Sequence, residues 1–124
     1  DQSMTVKSKT AFYEVINKYP DSEFVEDAYL KIDIINDRLA AKEIEIARYY
    51  QFKQQWISAI NRYNKILEDY DTSVYTEEAL HRLVEIYYSL GLTEEAKRYA
   101  STLGFNLPDS DWYTKSYELV KDLS

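Results

Sequence analysis

The chain has 124 residues, 45% of them hydrophobic and 30% charged, with a net charge of −7. That is enough for one domain rather than two, and the wrong overall field for a phosphate-binding face, so no nucleic-acid partner is expected. Cysteine is absent, which excludes disulfide staples, thiolate zinc sites and a cysteine nucleophile.

Breakers are scarce: Pro20, Pro108, Gly91 and Gly104 are the only prolines and glycines. A stretch without either from 21 to 90 disfavours the frequent turns of a β fold and predicts an all-α chain. The opening helix is expected at about 4–18. The chain begins at Asp1 within it, so it reads as a piece of a longer array, with no signal-peptide pattern or 18-residue apolar run in view. From about 22 to 53 one stripe, Phe24, Ala28, Ile32, Ile35, Leu39, Ile46, Ala47 and Tyr50, recurs at steps of three, four or seven. This predicts a single helix roughly 48 Å long at 1.5 Å per residue. Shorter helices follow at about 55–70, 74–90, 93–103 and 111–122.

The junctions repeat. "PDSEF" at 20–24, "DTSVY" at 71–75 and "PDSDW" at 108–112 each place a stop, then a hydroxyl (Ser22, Ser73, Ser110) able to cap the next helix. Acids follow in the first turn, where the helix dipole favours them. Each aromatic, Phe24, Tyr75 or Trp112, precedes a small residue, Ala28, Ala79 or Ser116, by one turn, an arrangement expected to let neighbouring helices approach closely.

A second register supports stacked helix pairs. Ala47, Tyr50, Trp56, Ala59, Tyr63, Ile66 and Asp71 match Val84, Tyr87, Thr93, Ala96, Ala100, Leu103 and Pro108 at one offset of 37. This order resembles the tetratricopeptide repeat, which implies helix pairs stacked in a right-handed superhelix. Gly91 falls where that repeat wants a left-handed turn, and Gln54 holds the equivalent place. The expected organisation is one repeat domain over 1–124: a half repeat at 1–20, the long helix and its partner at 21–71, a full repeat at 72–107, and a capping helix at 108–124. Phe12, Val15 and Ile16 of the half repeat are expected to be uncovered, and Trp112, Tyr113, Tyr117 and Val120 to form the stripe on which the last helix docks.

Most single residues read as structural. The thirteen tyrosines mostly occupy packing positions. His81 is the sole histidine, expected exposed or near a cap rather than ligating a metal. Carboxylates are expected at helix starts or paired at helical spacing, Glu43 with basic residues near Lys42 and Glu94 with Arg98. No glycine-rich loop or nucleophile motif frames them, so neither an enzyme nor a cofactor site is expected. Arg62 lies one residue off the stripe of Ala59, Tyr63 and Ile66 and has no acid at i+3 or i+4. An acid on an adjacent helix stays open as its partner; a solvated arginine would make reversal to Glu shift stability by no more than about 0.5 kcal/mol.

One stretch is more specific than a generic repeat: "DRLAAKEIEIARYYQFKQQWISAINRY" at 37–63, with "DYDT" at 69–72 and "YPDSEFVEDAYLKI" upstream. It resembles the BamD family, lipoprotein subunits of the bacterial outer-membrane β-barrel assembly machinery. The resemblance covers about 10 to 105. It implies a non-catalytic scaffold on the periplasmic side of the outer membrane, binding the POTRA domain of the barrel subunit and accessory lipoproteins. Membrane attachment would come only through a lipidated N-terminal segment that this sequence lacks. Carried onto this chain, the resemblance makes Arg62, with Asn61, Lys65 and Arg38, the expected partner-binding residues. The alternative is a generic peptide-binding tetratricopeptide co-chaperone module, which would need a basic clamp lining a concave groove.

Overall fold

The computed structural model describes residues 2–123, all six of whose elements are helices: α1 (Gln2–Lys18), α2 (Val25–Phe52), α3 (Trp56–Asp69), α4 (Thr76–Ser89), α5 (Thr93–Asn106) and α6 (Asp111–Val120). Consecutive helices pack on one another, and α6 reaches back to α4 as well as α5. Tetratricopeptide-like helix pairs, α2 with α3 and α4 with α5, therefore stand side by side.

The core explains the pairing. Ala40, Ile44 and Ala47 of α2, Ala59, Tyr63 and Ile66 of α3, and Ala79, Leu83 and Ile86 of α4 form one buried cluster. Alanines at four of these nine positions let the helix axes come close, and the larger side chains fill the remaining grooves. A second cluster, Val84, Ala96 and Ala100, is covered by Tyr87, Tyr99, Leu119 and Val120, so α6 seals the outer face of the α4–α5 pair. Tyr87 and Tyr99 stack with ring centroids 5.6 Å apart and planes within 4°.

Both intra-pair turns have the same construction. Gln54 (φ 59°) and Gly91 (φ 76°) are the residues in the left-handed region. After α2, the Gln55 N–H donates to the Tyr50 carbonyl and the Gln54 N–H to Gln51. After α4, Leu92 donates to Tyr87 and Gly91 to Tyr88. These are the paired bonds of a Schellman ending, which satisfy orphan carbonyls and turn the chain back. Glutamine thus adopts at 54 the conformation that glycine adopts freely at 91.

The three junctions are also alike in their bonds. The amides of Ser22, Ser73 and Ser110 donate to the carbonyls of Tyr19, Tyr70 and Leu107. Each serine hydroxyl then accepts the amide of the aromatic two residues on: Phe24 at 3.1 Å, Tyr75 at 3.3 Å and Trp112 at 3.1 Å. Only Ser110 is a true N-cap, extended and directly followed by its helix. At Ser22 and Ser73 a further turn intervenes, so α2 begins at Val25 rather than at about 22. At the other end of the chain, α5 runs through Gly104 to Asn106 instead of stopping at about 103.

Three packing expectations are corrected. Phe24 is exposed, whereas Tyr75 and Trp112 are half-buried. Phe12, Val15 and Ile16 are half-buried rather than uncovered, since α1 packs on α2; the exposed apolar side chains there are Val6, Tyr13, Tyr19, Tyr29, Leu30 and Ile34. On α6 the deeply buried residue is Ser116, while Tyr117 points outward at 50% exposure.

Candidate partner-binding site

On α2, Leu39, Ala40, Glu43, Ile44 and Ala47 are all buried, which puts a carboxylate in the middle of an apolar stripe. Such a group is tolerable only if paired. Its partners come from α3, running back alongside α2 after the three-residue turn. Arg62 Nη1 donates to Glu43 Oε2 at 3.0 Å, and Lys65 Nζ lies 3.9 Å from Oε1. The Glu43 side chain is 7% exposed while those of Arg62 and Lys65 are 39% and 47% exposed. A buried anion thus holds two cations whose outer faces stay in solvent. Tyr70 lies beside this group: burial, and then the charges of Asp69 and Glu43, raise its phenol above the ordinary tyrosine range. Lys9 Nζ sits 5.5 Å from the Tyr70 ring centroid. Arg62 and Lys65 against the single Glu43 carboxylate leave this trio one net positive charge on a chain of net charge −7.

A second polar network ties four helices together. The fully buried Tyr63 of α3 donates to Gln51 Oε1 of α2 at 2.7 Å, and Gln51 Nε2 donates to Glu85 of α4 at 3.2 Å. Glu85 also receives Arg82 Nη1 at 2.9 Å and lies 3.3 Å from His81 Nε2. The other ring nitrogen of His81, Nδ1, is 2.8 Å from the hydroxyl of Ser116 on α6. Burial opposes ionisation of Glu85, but the hydrogen bonds from His81, Arg82 and Gln51 outweigh it and hold its carboxyl at about 2. Glu78 receives both Arg48, with Nε at 2.8 Å, and Arg82. Burial again opposes ionisation, and the two guanidiniums still lower its pKa. Trp112 closes the network, its ring 5.4 Å from that of His81.

Of the expected partner-binding residues, the fold brings Arg62 and Lys65 together over Glu43 and leaves Asn61 exposed beside them. Arg38 is separate: it lines a cleft between α1 and α2 with Thr5, Ser8, Phe12, Lys31, Ile34 and Ile35. The repeat positions Ala47, Ala59, Tyr63, Val84 and Ala96 are buried, Tyr50, Trp56 and Tyr87 half-buried, and Gly91 and Pro108 exposed in turns. Several polar expectations are overturned. Arg62 takes its acid from the adjacent helix, the alternative left open by the sequence, so Glu43 pairs across helices instead of along α2. His81 is buried rather than exposed, with two polar partners. Glu94 and Glu95 pair at i+3, with Lys97 and Arg98, rather than Glu94 with Arg98. The missed residues are Glu43, Glu78, Glu85 and His81. An acid interrupting an apolar stripe was the signal available for Glu43.

No described helix is long and apolar enough to cross a membrane. Among the described residues no group of three or more His, Asp or Glu is placed to hold a metal ion. Stacked helix pairs define a helical-repeat protein. The YfiO family model, described as outer membrane lipoprotein, matches residues 1–103, and the chain belongs to that family. It is 48% identical over 122 residues to the outer membrane protein assembly factor BamD of Rickettsia prowazekii, covering 98% of this chain and 49% of that protein. It is 44% identical over 122 residues to BamD of Caulobacter vibrioides, covering 98% of this chain and 40% of the relative. The match to BamD of Neisseria meningitidis is 32% over 108 residues. The chain therefore spans half or less of the length of these relatives.

Proposed function

We propose that this chain is a non-catalytic scaffold in outer-membrane β-barrel protein assembly, working on the periplasmic side of the outer membrane. In this reading it grips the POTRA domain of the barrel subunit and contacts accessory lipoproteins at the lipid-anchored side of the outer membrane. The observation that carries the reading is Arg62: a guanidinium held on one side by a buried carboxylate and open on the other, in a chain related to BamD along almost its whole length. A half-exposed, oriented arginine suits a planar, forked contact with a partner carboxylate. Lys65 and Asn61 flank it as further contacts, and Arg38 serves a separate one. The rival co-chaperone reading has less support. Its basic clamp would have to line a concave groove, whereas Arg38, Lys42, Arg48, Arg62 and Lys65 lie along α2 and its partner α3.

Titration of the chain against the barrel subunit's POTRA domain tests the proposal. Arg62→Ala weakens binding by about 2 kcal/mol or more, a factor of roughly 30, while the far-ultraviolet spectrum remains helical. Affinity equal to that of the parent chain would place the contact elsewhere.

A further inference from the structure

We infer that Glu43 is a positioning residue for partner capture: a buried carboxylate that sets the Arg62 fork in its binding-ready orientation without itself reaching the partner. The inference rests on the POTRA reading of Arg62.

The geometry assigns the roles. Glu43 is buried on α2, and its Oε2 accepts only from the Nη1 side of Arg62, at 3.0 Å. Among the described residues, no other acceptor engages the guanidinium, so its remaining N–H donors face the exposed side. Lys65 Nζ, 3.9 Å from the other carboxylate oxygen, is drawn to the same anchor. The trio carries one surplus positive charge, which favours an acidic side chain as the incoming group. A free arginine at a surface loses substantial rotamer freedom when it docks. An arginine already held by a buried anion has lost much of that freedom on folding, so less is lost on binding.

Glu43 also acts in the opposite direction, because its negative charge repels an incoming carboxylate. The two effects separate by comparing neutral replacements of similar size. Glu43→Gln and Glu43→Leu remove the same charge, but only glutamine keeps an oxygen that can accept from Arg62. We expect Glu43→Leu to bind the POTRA domain about 3- to 10-fold more weakly than Glu43→Gln, the range set by immobilising one long side chain. In an Arg62→Ala background the difference disappears, because the residue through which Glu43 acts is gone. A purely structural role would leave the Gln–Leu difference intact in that background. Thermal melts verify folding, and Glu43→Met supplies a second acceptor-free variant should leucine disturb the helix pair. Equal affinities of the Gln and Leu variants, or a difference that survives Arg62→Ala, overturn the inference while leaving the Arg62 contact standing. An Arg62→Ala chain that binds like the parent instead places the POTRA contact elsewhere and removes the reading of Arg62 on which the inference rests.

Discussion

Glu85 is the charged centre of the four-helix network, and replacing it with glutamine makes the folded state measurably less dependent on pH. Its carboxyl is held at about 2 against an ordinary 4.5. Because the folded value is depressed, its stabilisation is fully present above about pH 4.5 and is lost as pH falls towards 2. The full shift corresponds to roughly 3 kcal/mol. With 31% of the side chain still exposed, solvent screening lowers the expectation to about 2 kcal/mol. Glutamine keeps the shape and one acceptor oxygen but loses the charge that Arg82 and His81 address. Urea denaturation of parent and Glu85→Gln chains at pH 7 and at pH 2.5, in the same buffer and salt, gives the comparison. The parent should be more stable by about 2 kcal/mol at pH 7, and the gap should shrink to a few tenths at pH 2.5. A gap of the same size at both values would show that the ionised carboxyl contributes nothing particular, and the network would then be held by packing alone.

Placing proline at Ala41, inside the unbroken α2, removes a hydrogen bond and should cost about 3 kcal/mol or more in a denaturation experiment; a harmless Ala41→Pro would reveal a break in the helix. At the two Schellman endings, Gly91→Ala should destabilise by about 1 kcal/mol and Gln54→Gly should be neutral or stabilising, because both positions lie at positive φ; opposite signs would contradict the turn geometry. Arg62→Glu should destabilise the free chain by about 1–3 kcal/mol, since it faces a buried carboxylate, and adding Glu43→Lys should recover part of that loss in the same thermal melt.

What the sequence made legible is what depends on short spacings along one helix. The breaker-free run gave the long α2, the offset of 37 located two equivalent turns, and the three serine junctions share one bonding pattern. Boundaries moved by a few residues where a side chain reorganised the turn, as Ser22 and Ser73 do. Contacts along α4, Glu78 with Arg82 and Glu85 with His81 and Arg82, stand at i+3 or i+4 and were within reach, but the cross-helix polar contacts were hidden for a different reason: they join residues 19 to 35 apart. The i+3 and i+4 rule reaches only along one helix. His81 looked like a surface histidine because Ser116, the group that completes it, stands on α6. Of the expected docking stripe, Trp112, Tyr113 and Val120 are half-buried and Tyr117 turns outward, while α6 comes close to α4 at the small Ser116, as its spacing from Trp112 led one to expect.

Arg62 shows how the same sequence could have been read further. A solitary acid in the stripe of Leu39, Ala40, Ile44 and Ala47 has either broken the register or found a cation. The register is intact on both sides of Glu43, so a cation had to come from a neighbouring helix. α3 carries two, Arg62 and Lys65. Reading α2 and α3 as an antiparallel pair around the turn at 53–55 brings residues near 43 against residues near 62 to 65, as the pairs of Glu43 with Arg62 and Lys65 show. In the proposed function, the pairing that makes Arg62 structural is also the one that makes it useful. An arginine tied on one side to the core keeps its free donors aimed outward, so under that proposal one side chain would serve the fold and the partner with two halves of the same fork.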